Sequence, residues 1–234
     1  MKTIIIIPAR MGSSRFPGKP LAPVNGIPLV HWTYNQARRL SNLVIVATPD
    51  REIAHYCEKN NLAWRPTMIH HPTGTHRAAE VIRQMRDGAV GQKDLVINWQ
   101  VDEPFVDPND VAQFNRRFGF KTLFGELRDH LLFDSNLVKV AVGDQNRCLW
   151  FSRAPMRGAK EHIGVYGFEA SKLIELEKIE PTSLSKAESL EQLTWIEKLP
   201  NDWITGFPIE GEIPLSINTP EDLELMQEIV GNAN

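Results

Sequence analysis

The apolar residues of this chain fall into short continuous runs that alternate with stretches of helical spacing. Ile4 to Ile7 are four consecutive isoleucines. The run is β-branched and too short for a helix, which predicts a central strand covered on both faces. Pro8 ends it. Leu29, Trp32, Ala37 and Leu40 then recur at roughly helical spacing after Gly26-Ile27-Pro28, where proline is placed to start a helix. Residues 43–47, LVIVA, predict a second buried strand, and Pro49-Asp50 opens a helix with Ile53, Ala54 and Cys57 on its apolar side. A helix carrying Ala78, Ala79, Val81, Ile82 and Met85 follows, with Thr75 as its expected cap. Residues 95–98 predict a strand, the stretch from Pro108 to about Phe118 a helix, and 121–127 another strand. Residues 137–142 and 148–151 flank Gly143-Asp144-Gln145-Asn146, which predicts a β-hairpin with a polar turn.

Toward the C-terminus, residues 162–168 predict a strand that turns His162, Gly164 and Tyr166 to one face and Ile163 and Val165 to the other. Glu188, Glu191 and Gln192 have the spacing of one helix face, with Leu190, Leu193 and Ile196 available to the core. Residues 215–217 predict a short strand. Thr219-Pro220-Glu221-Asp222 is a strong helix start ahead of Leu223, Leu225, Met226 and Ile229. Strand and helix alternating from the first residues argue for an α/β fold with a mostly parallel, doubly wound sheet, in which ligands sit at the carboxyl ends of the strands.

A length of 234 residues with 42% hydrophobic content suits one domain over 1–234, with residues of approximately 121–168 as a smaller subregion. The net charge of −3 leaves no basic face, so nucleic acid is not an expected partner. Cys57 and Cys148 lack metal-type spacing, and no signal peptide or membrane span is legible. These features predict a cytoplasmic protein with free thiols and no membrane attachment.

Candidate chemistry concentrates where strands end. The loop after the first strand carries Gly12 and Gly18, Ser13 and Ser14, and the cations Arg10, Arg15 and Lys19. Backbone N–H groups and positive charge of this kind can wrap a polyanion, although a basic surface turn would look the same. Asp102, just past the 95–98 strand, reads either as turn chemistry or as a hard oxygen ligand for Mg²⁺. His162 reads either as a structural strand histidine or as a ligand-facing one.

Several of these motifs together carry a resemblance. Pro8-Ala9-Arg10, Ser14-Arg15 and Pro17-Gly18-Lys19-Pro20-Leu21 resemble the opening signature of the 3-deoxy-manno-octulosonate (Kdo) cytidylyltransferases, and the likeness runs in order along nearly the whole chain. It implies a Rossmann-like nucleotide-diphospho-sugar transferase fold with a small extension for dimerisation and sugar binding. It also implies transfer of CMP from CTP to the anomeric hydroxyl of a Kdo-like sugar acid, with release of pyrophosphate, for lipopolysaccharide or surface-glycan precursors, Mg²⁺ or Mn²⁺ as cofactor, and a homodimer. By this resemblance Arg10, Arg15 and Lys19 hold the triphosphate, with Pro8 and Ala9 near the cytosine. Thr73, Gly74, Thr75, Arg77 and Gln100 line the nucleotide pocket, and Gln100 also lies near the sugar acid. Arg153, with Arg157 as a lesser candidate, and His162, Tyr166, Glu188, Glu191 and Gln192 face the sugar. Asp102 and Asn218 hold the metal.

The chain also departs from the family pattern. His76 stands where the family has an acidic residue, Val101 replaces a glycine, Thr194 an arginine, and Asn218 an aspartate, while the 154–161 connection is short. Losing a carboxylate at 218 is expected to weaken metal binding. The departures leave room for two alternatives: the same chemistry on a different or amino-substituted sugar acid, or a nucleotide- or sugar-binding paralogue without turnover.

Overall fold

A computed structural model describes residues 1–13, 15–85, 89–116, 119–199 and 202–232, so Ser14 of the opening motif and the expected helix end at Phe118 lie outside the described residues. In chain order the elements are β1 (Thr3–Pro8), β2 (Pro23–Val24), β3 (Ile27–Pro28), α1 (Leu29–Leu40), β4 (Leu43–Thr48), α2 (Arg51–Lys59), β5 (Trp64–Pro66), α3 (Gly74–Gln84), β6 (Leu95–Trp99) and α4 (Pro108–Ala112). They continue with β7 (Phe120–Gly125), β8 (Lys139–Val142), β9 (Arg147–Ser152), β10 (Lys160–Glu169), α5 (Ala170–Leu176), α6 (Ser183–Glu188), α7 (Glu191–Lys198), β11 (Ile204–Pro208) and α8 (Pro220–Asn232).

The main sheet runs β5-β4-β1-β6-β10-β7-β11-β9-β8. From β5 to β6 every pairing is parallel, as is β7 with β11. The direction reverses where β10 inserts between β6 and β7, antiparallel to both. Each isoleucine of β1 is fully buried, Ile4 and Ile6 toward one helical layer and Ile5 and Ile7 toward the other. Burial on both faces is what an unbroken apolar run requires. Within the expected 121–168 subregion, β7 and β10 are central strands, and β8 of the β8–β9 hairpin pairs back onto the start of β10.

Several local expectations are corrected. Thr73, not Thr75, caps α3: it is extended, and its Oγ1 accepts from the His76 N–H. The helix from Pro108 tightens after Ala112 into a 3₁₀ turn over Gln113–Arg116. Glu188 and Glu191 do not share a helix, because Ser189 turns left-handed at φ 54° and separates α6 from α7. Residues 215–217 form no strand; they lie beside the Asp102 turn, with the Ile217 N–H donating to the Asp102 carbonyl at 2.9 Å. A strand that the apolar pattern did not single out, β11 over 204–208, lies inside the sheet between β7 and β9. The Thr219 cap is present, its Oγ1 accepting from the Asp222 N–H.

Candidate active site

Two adjoining cavities, of about 660 and 250 Å³, open beyond the ends of β1 and β6 and share Arg10, Arg15, Thr73, Gly74, Gln100 and Asp102. The smaller is walled by the loop after β1 and the start of α3. The larger extends over β10 and α7.

The loop is fixed before any ligand arrives. The Ala9 N–H donates to the Ala47 carbonyl, that of Met11 to Asp50 Oδ2 at 2.8 Å, and that of Gly18 back to the Met11 carbonyl. Asp50 precedes α2 but spends its carboxylate on the loop rather than on its own helix. Gly18 sits at φ 78°, a conformation that glycine adopts without strain, and so turns Lys19 inward. Arg10 remains exposed and lines both cavities.

Lys19 is 8% exposed, and its Nζ meets Asp102 Oδ2 at 2.7 Å and the Ile217 carbonyl at 3.1 Å. The lysine therefore locks the aspartate to the segment that carries Asn218. Arg15 bridges the cavity mouth: Nη1 donates to Asn136 Oδ1 at 3.1 Å and Nη2 to Asn218 Oδ1 at 3.2 Å. Val101, where the family has glycine, lies outside the left-handed region and buries its side chain in the core, so the turn accommodates it.

On α3, Thr75 Oγ1 accepts from Asn98 Nδ2 at 3.0 Å, and His76 Nε2 donates to the Ile179 carbonyl. Arg77 is buried and donates to Thr67 Oγ1 and to the carbonyls of Met68 and Ile69, so it braces the preceding loop while lining the smaller cavity. Gly74 is a close approach: a Cβ there would stand 2.8 Å from Gln100 Nε2 and 3.2 Å from Pro8 Cγ.

The larger cavity is built differently. His162 and Tyr166 stack at 5.5 Å, and Phe151 meets His162 edge-on at 5.2 Å. Burial, with Arg153 nearby, pushes the His162 pKa down to about 3, so the ring is neutral; its Nε2 pairs with Thr122 Oγ1 at 3.0 Å. Burial raises the Tyr166 pKa, and the Tyr166 hydroxyl accepts from Gln192 Nε2. Among the described residues, the buried Gln192 Oε1 has no hydrogen-bond partner. Glu191 reaches the hydroxyls of Thr73 and Thr75 at the start of α3, while burial raises its pKa. Arg153 Nη1 donates to the carbonyls of Ser135 and Asn136.

Of the residues read from sequence, Thr75, Glu188 and Arg157 line neither cavity: Thr75 is buried at the start of α3, and Glu188 is drawn onto the strand beside it. Its carboxylate accepts from Ser152 Oγ at 3.4 Å and from the Arg153 N–H at 3.2 Å, which holds the strand that presents Arg153. Arg157 is exposed and lines a separate surface groove with Phe133 and Met156. Sequence reading missed Glu103, Asn136 and Ser216. Glu103 Oε1 accepts from the Gly164 N–H at 3.0 Å and Oε2 from Ser216 Oγ at 2.8 Å; burial, then the neighbouring Asp102 charge, pushes its pKa up to about 8. Its position beside Asp102 was a signal. A loop asparagine such as Asn136 gave none.

No group of three or more His, Cys, Asp or Glu among the described residues is placed to hold a metal ion. The oxygen set on offer is one carboxylate, Asp102, and the amide of Asn218, so most ligands of a bound cation would come from a ligand's own oxygens.

An α/β sheet with a cation-lined cavity at its strand ends, joined at Asp102 to a larger cavity walled by His162, Tyr166 and Arg153, has the arrangement of a nucleotide-dependent transferase. A family model described as cytidylyltransferase matches residues 4–199. A 3-deoxy-manno-octulosonate cytidylyltransferase of Parabacteroides distasonis is 33% identical over 99% of both chains. That of Leptospira interrogans is 34% identical over 97% of this chain and 96% of its own. The solved structure of a CMP:2-keto-3-deoxy-manno-octonic acid synthetase complexed with CTP superposes with a TM-score of 0.86 at 28% identity over the whole of both chains. A thymidylyltransferase structure from Bacillus anthracis shares the fold at a TM-score of 0.71 and 16% identity. The chain belongs to the 3-deoxy-manno-octulosonate cytidylyltransferase family.

Proposed function

We propose that the chain transfers CMP from CTP to the anomeric hydroxyl of Kdo, releasing pyrophosphate. The observation that carries this reading is the junction of the two cavities at Asp102 and Gln100, where an α-phosphorus and a sugar hydroxyl have to meet. The hydroxyl oxygen attacks the α-phosphorus, the bond to the bridging oxygen of pyrophosphate breaks, and the hydroxyl proton is lost. Arg10 and Arg15, with the Lys19 ammonium behind Asp102, counter the charge of the triphosphate. Holding both reactants in line supplies most of the rate, as in other phosphoryl transfers. A divalent cation, which we take to be Mg²⁺ with Mn²⁺ as a substitute, would bind at Asp102 and neutralise phosphate charge when present.

On the acid side, Arg153 offers charge to the sugar carboxylate. Neutral His162, the Tyr166–Gln192 pair and Glu191 offer hydrogen bonds to its hydroxyls, and the partnerless Gln192 Oε1 is an acceptor that a sugar hydroxyl would satisfy. Neutrality at His162 argues for binding rather than proton transfer.

We place the protein in the cytoplasm, in keeping with the free, buried thiols of Cys57 and Cys148. No described helix is long and apolar enough to cross a membrane. We also infer a homodimer that covers the exposed Leu149, Trp150 and Trp203 at the hairpin edge; light scattering on the purified protein tests it. The activity is tested by pyrophosphate release with CTP, Mg²⁺ and Kdo, run beside an amino-substituted octulosonate and a nonulosonate. Release with Kdo is expected. Release with another acid alone would change the acceptor, and silence with all three while CTP still binds would make the chain a non-catalytic paralogue.

A further inference from the structure

We infer that Asn218 is a positioning residue for Arg15 rather than a ligand of the cation, and that with Asn136 it forms a neutral clamp presenting an uncompensated guanidinium to the phosphate anion. The inference rests on the nucleotide reading above. Arg15 reaches across the cavity mouth to an amide oxygen on each wall, Asn136 at 3.1 Å and Asn218 at 3.2 Å. Both acceptors are uncharged, so the guanidinium is oriented while its full charge stays available to an incoming anion.

Two of the cations that line the cavity are thereby used differently. Lys19 is ion-paired with Asp102 at 2.7 Å, so that carboxylate offsets part of the charge it brings to the phosphates. Among the described residues, the Arg15 guanidinium donates to two amide oxygens and forms no ion pair. The Asn218 backbone is itself fixed, its N–H donating to Asp222 Oδ2 at 2.8 Å, so the amide is aimed from a rigid helix start. An oxygen that already accepts from a guanidinium is a poor ligand for a divalent cation, since two positive centres would share one neutral atom. The site therefore receives its cation on the nucleotide and binds the nucleotide anion without it.

Calorimetry with CTP and with inorganic pyrophosphate in EDTA, and paramagnetic resonance of Mn²⁺ added alone, test the assignment in the wild type, Asn218→Asp, Asn218→Leu and Asn136→Leu. The wild type is expected to bind both anions without metal and to show no specific Mn²⁺ binding alone. Asn218→Asp is expected to lose about tenfold in metal-free anion affinity, roughly 1.4 kcal/mol, and to gain Mn²⁺ binding. Each Leu variant is expected to lose severalfold, and both losses are expected to vanish in an Arg15→Gln background. Mn²⁺ binding by the wild type that Asn218→Leu abolishes would overturn the inference, and so would Leu losses that persist without Arg15. Circular dichroism melting of each variant guards against misfolding, and the Asn136 wall provides the second route should Asn218 variants fail to fold. A wild type that binds no CTP even with Mg²⁺ would instead remove the nucleotide reading.

Discussion

The side of the cavity we propose for the nucleotide and the side we propose for the sugar solve opposite physical problems. The nucleotide side is assembled from long cationic side chains on a loop whose backbone is pinned to β4 and α2. Arg10 and Arg15 are exposed, and one ion pair, Lys19–Asp102, is sunk between the walls. The sugar side is a buried, neutral network in which His162, Tyr166 and Phe151 pack ring against ring and Gln192 closes on the tyrosine. A triphosphate carries its own charge and needs counter-charge that can follow it. A polyhydroxylated acid needs fixed donors and acceptors, which hold their aim only when packing locks them. Damage on the first side should therefore appear as lost turnover with modest structural cost, and on the second as coupled changes in stability and acid affinity.

The largest effect is expected from Asp102→Asn. It removes the one carboxylate at the junction and leaves the buried Lys19 ammonium without its counter-ion, so kcat should fall by about 10³-fold, measured as pyrophosphate release. A loss under tenfold would mean that the junction is not where the chemistry occurs. Next comes Gly74→Ala, whose methyl would stand 2.8 Å from Gln100 Nε2. Gln100 must move, and turnover should fall by about tenfold, with melting lowered by no more than about 1–2 kcal/mol of stability. An unchanged rate would show that Gln100 does not have to be where it is.

On the sugar side, His162 titrates near 3 in the folded chain against an ordinary value of 6.5. The unfolded chain therefore binds the extra proton first. The stability His162 contributes is complete above pH 6.5 and is lost as pH falls from there toward 3. His162→Gln should flatten the fall in melting temperature between pH 6.5 and 5; an equally steep fall would assign the acid sensitivity elsewhere. The smallest effect is expected from Glu188→Ala. It releases Ser152 and the Arg153 N–H, raising KM for the sugar acid severalfold at unchanged KM for CTP, about 1 kcal/mol. If both KM values rose together, Glu188 would be supporting the fold at large rather than Arg153.

The apolar runs of β1, β4 and β6 and the helices between them were legible because burial on both faces confines polar residues to the strand ends, as at Thr48 and Asn98, so the run itself is the signal. The Thr219 cap was legible for a local reason too, since a cap is satisfied within one turn. The α3 cap was misplaced by two residues because Thr73 and Thr75 are equivalent locally; Asn98, on a strand 23 positions away, and Glu191 on α7 draw Thr75 inward. The apparent helix face through Glu188 and Glu191 was broken by a left-handed Ser189, a conformation that serine does not advertise.

Sequence by itself determined the α/β frame, the family, and the residue types gathered at the strand ends, because those follow from short-range periodicity and contiguous motifs. The tertiary structure alone decided their partners. Lys19 is bound to Asp102 across 83 positions, Arg15 to Asn136 across 121 and to Asn218 across 203, while Glu103 holds Gly164 and Ser216. Such pairings depend on which chain segments the sheet order sets side by side, and that order comes from packing the whole core, which no local stretch of residues encodes.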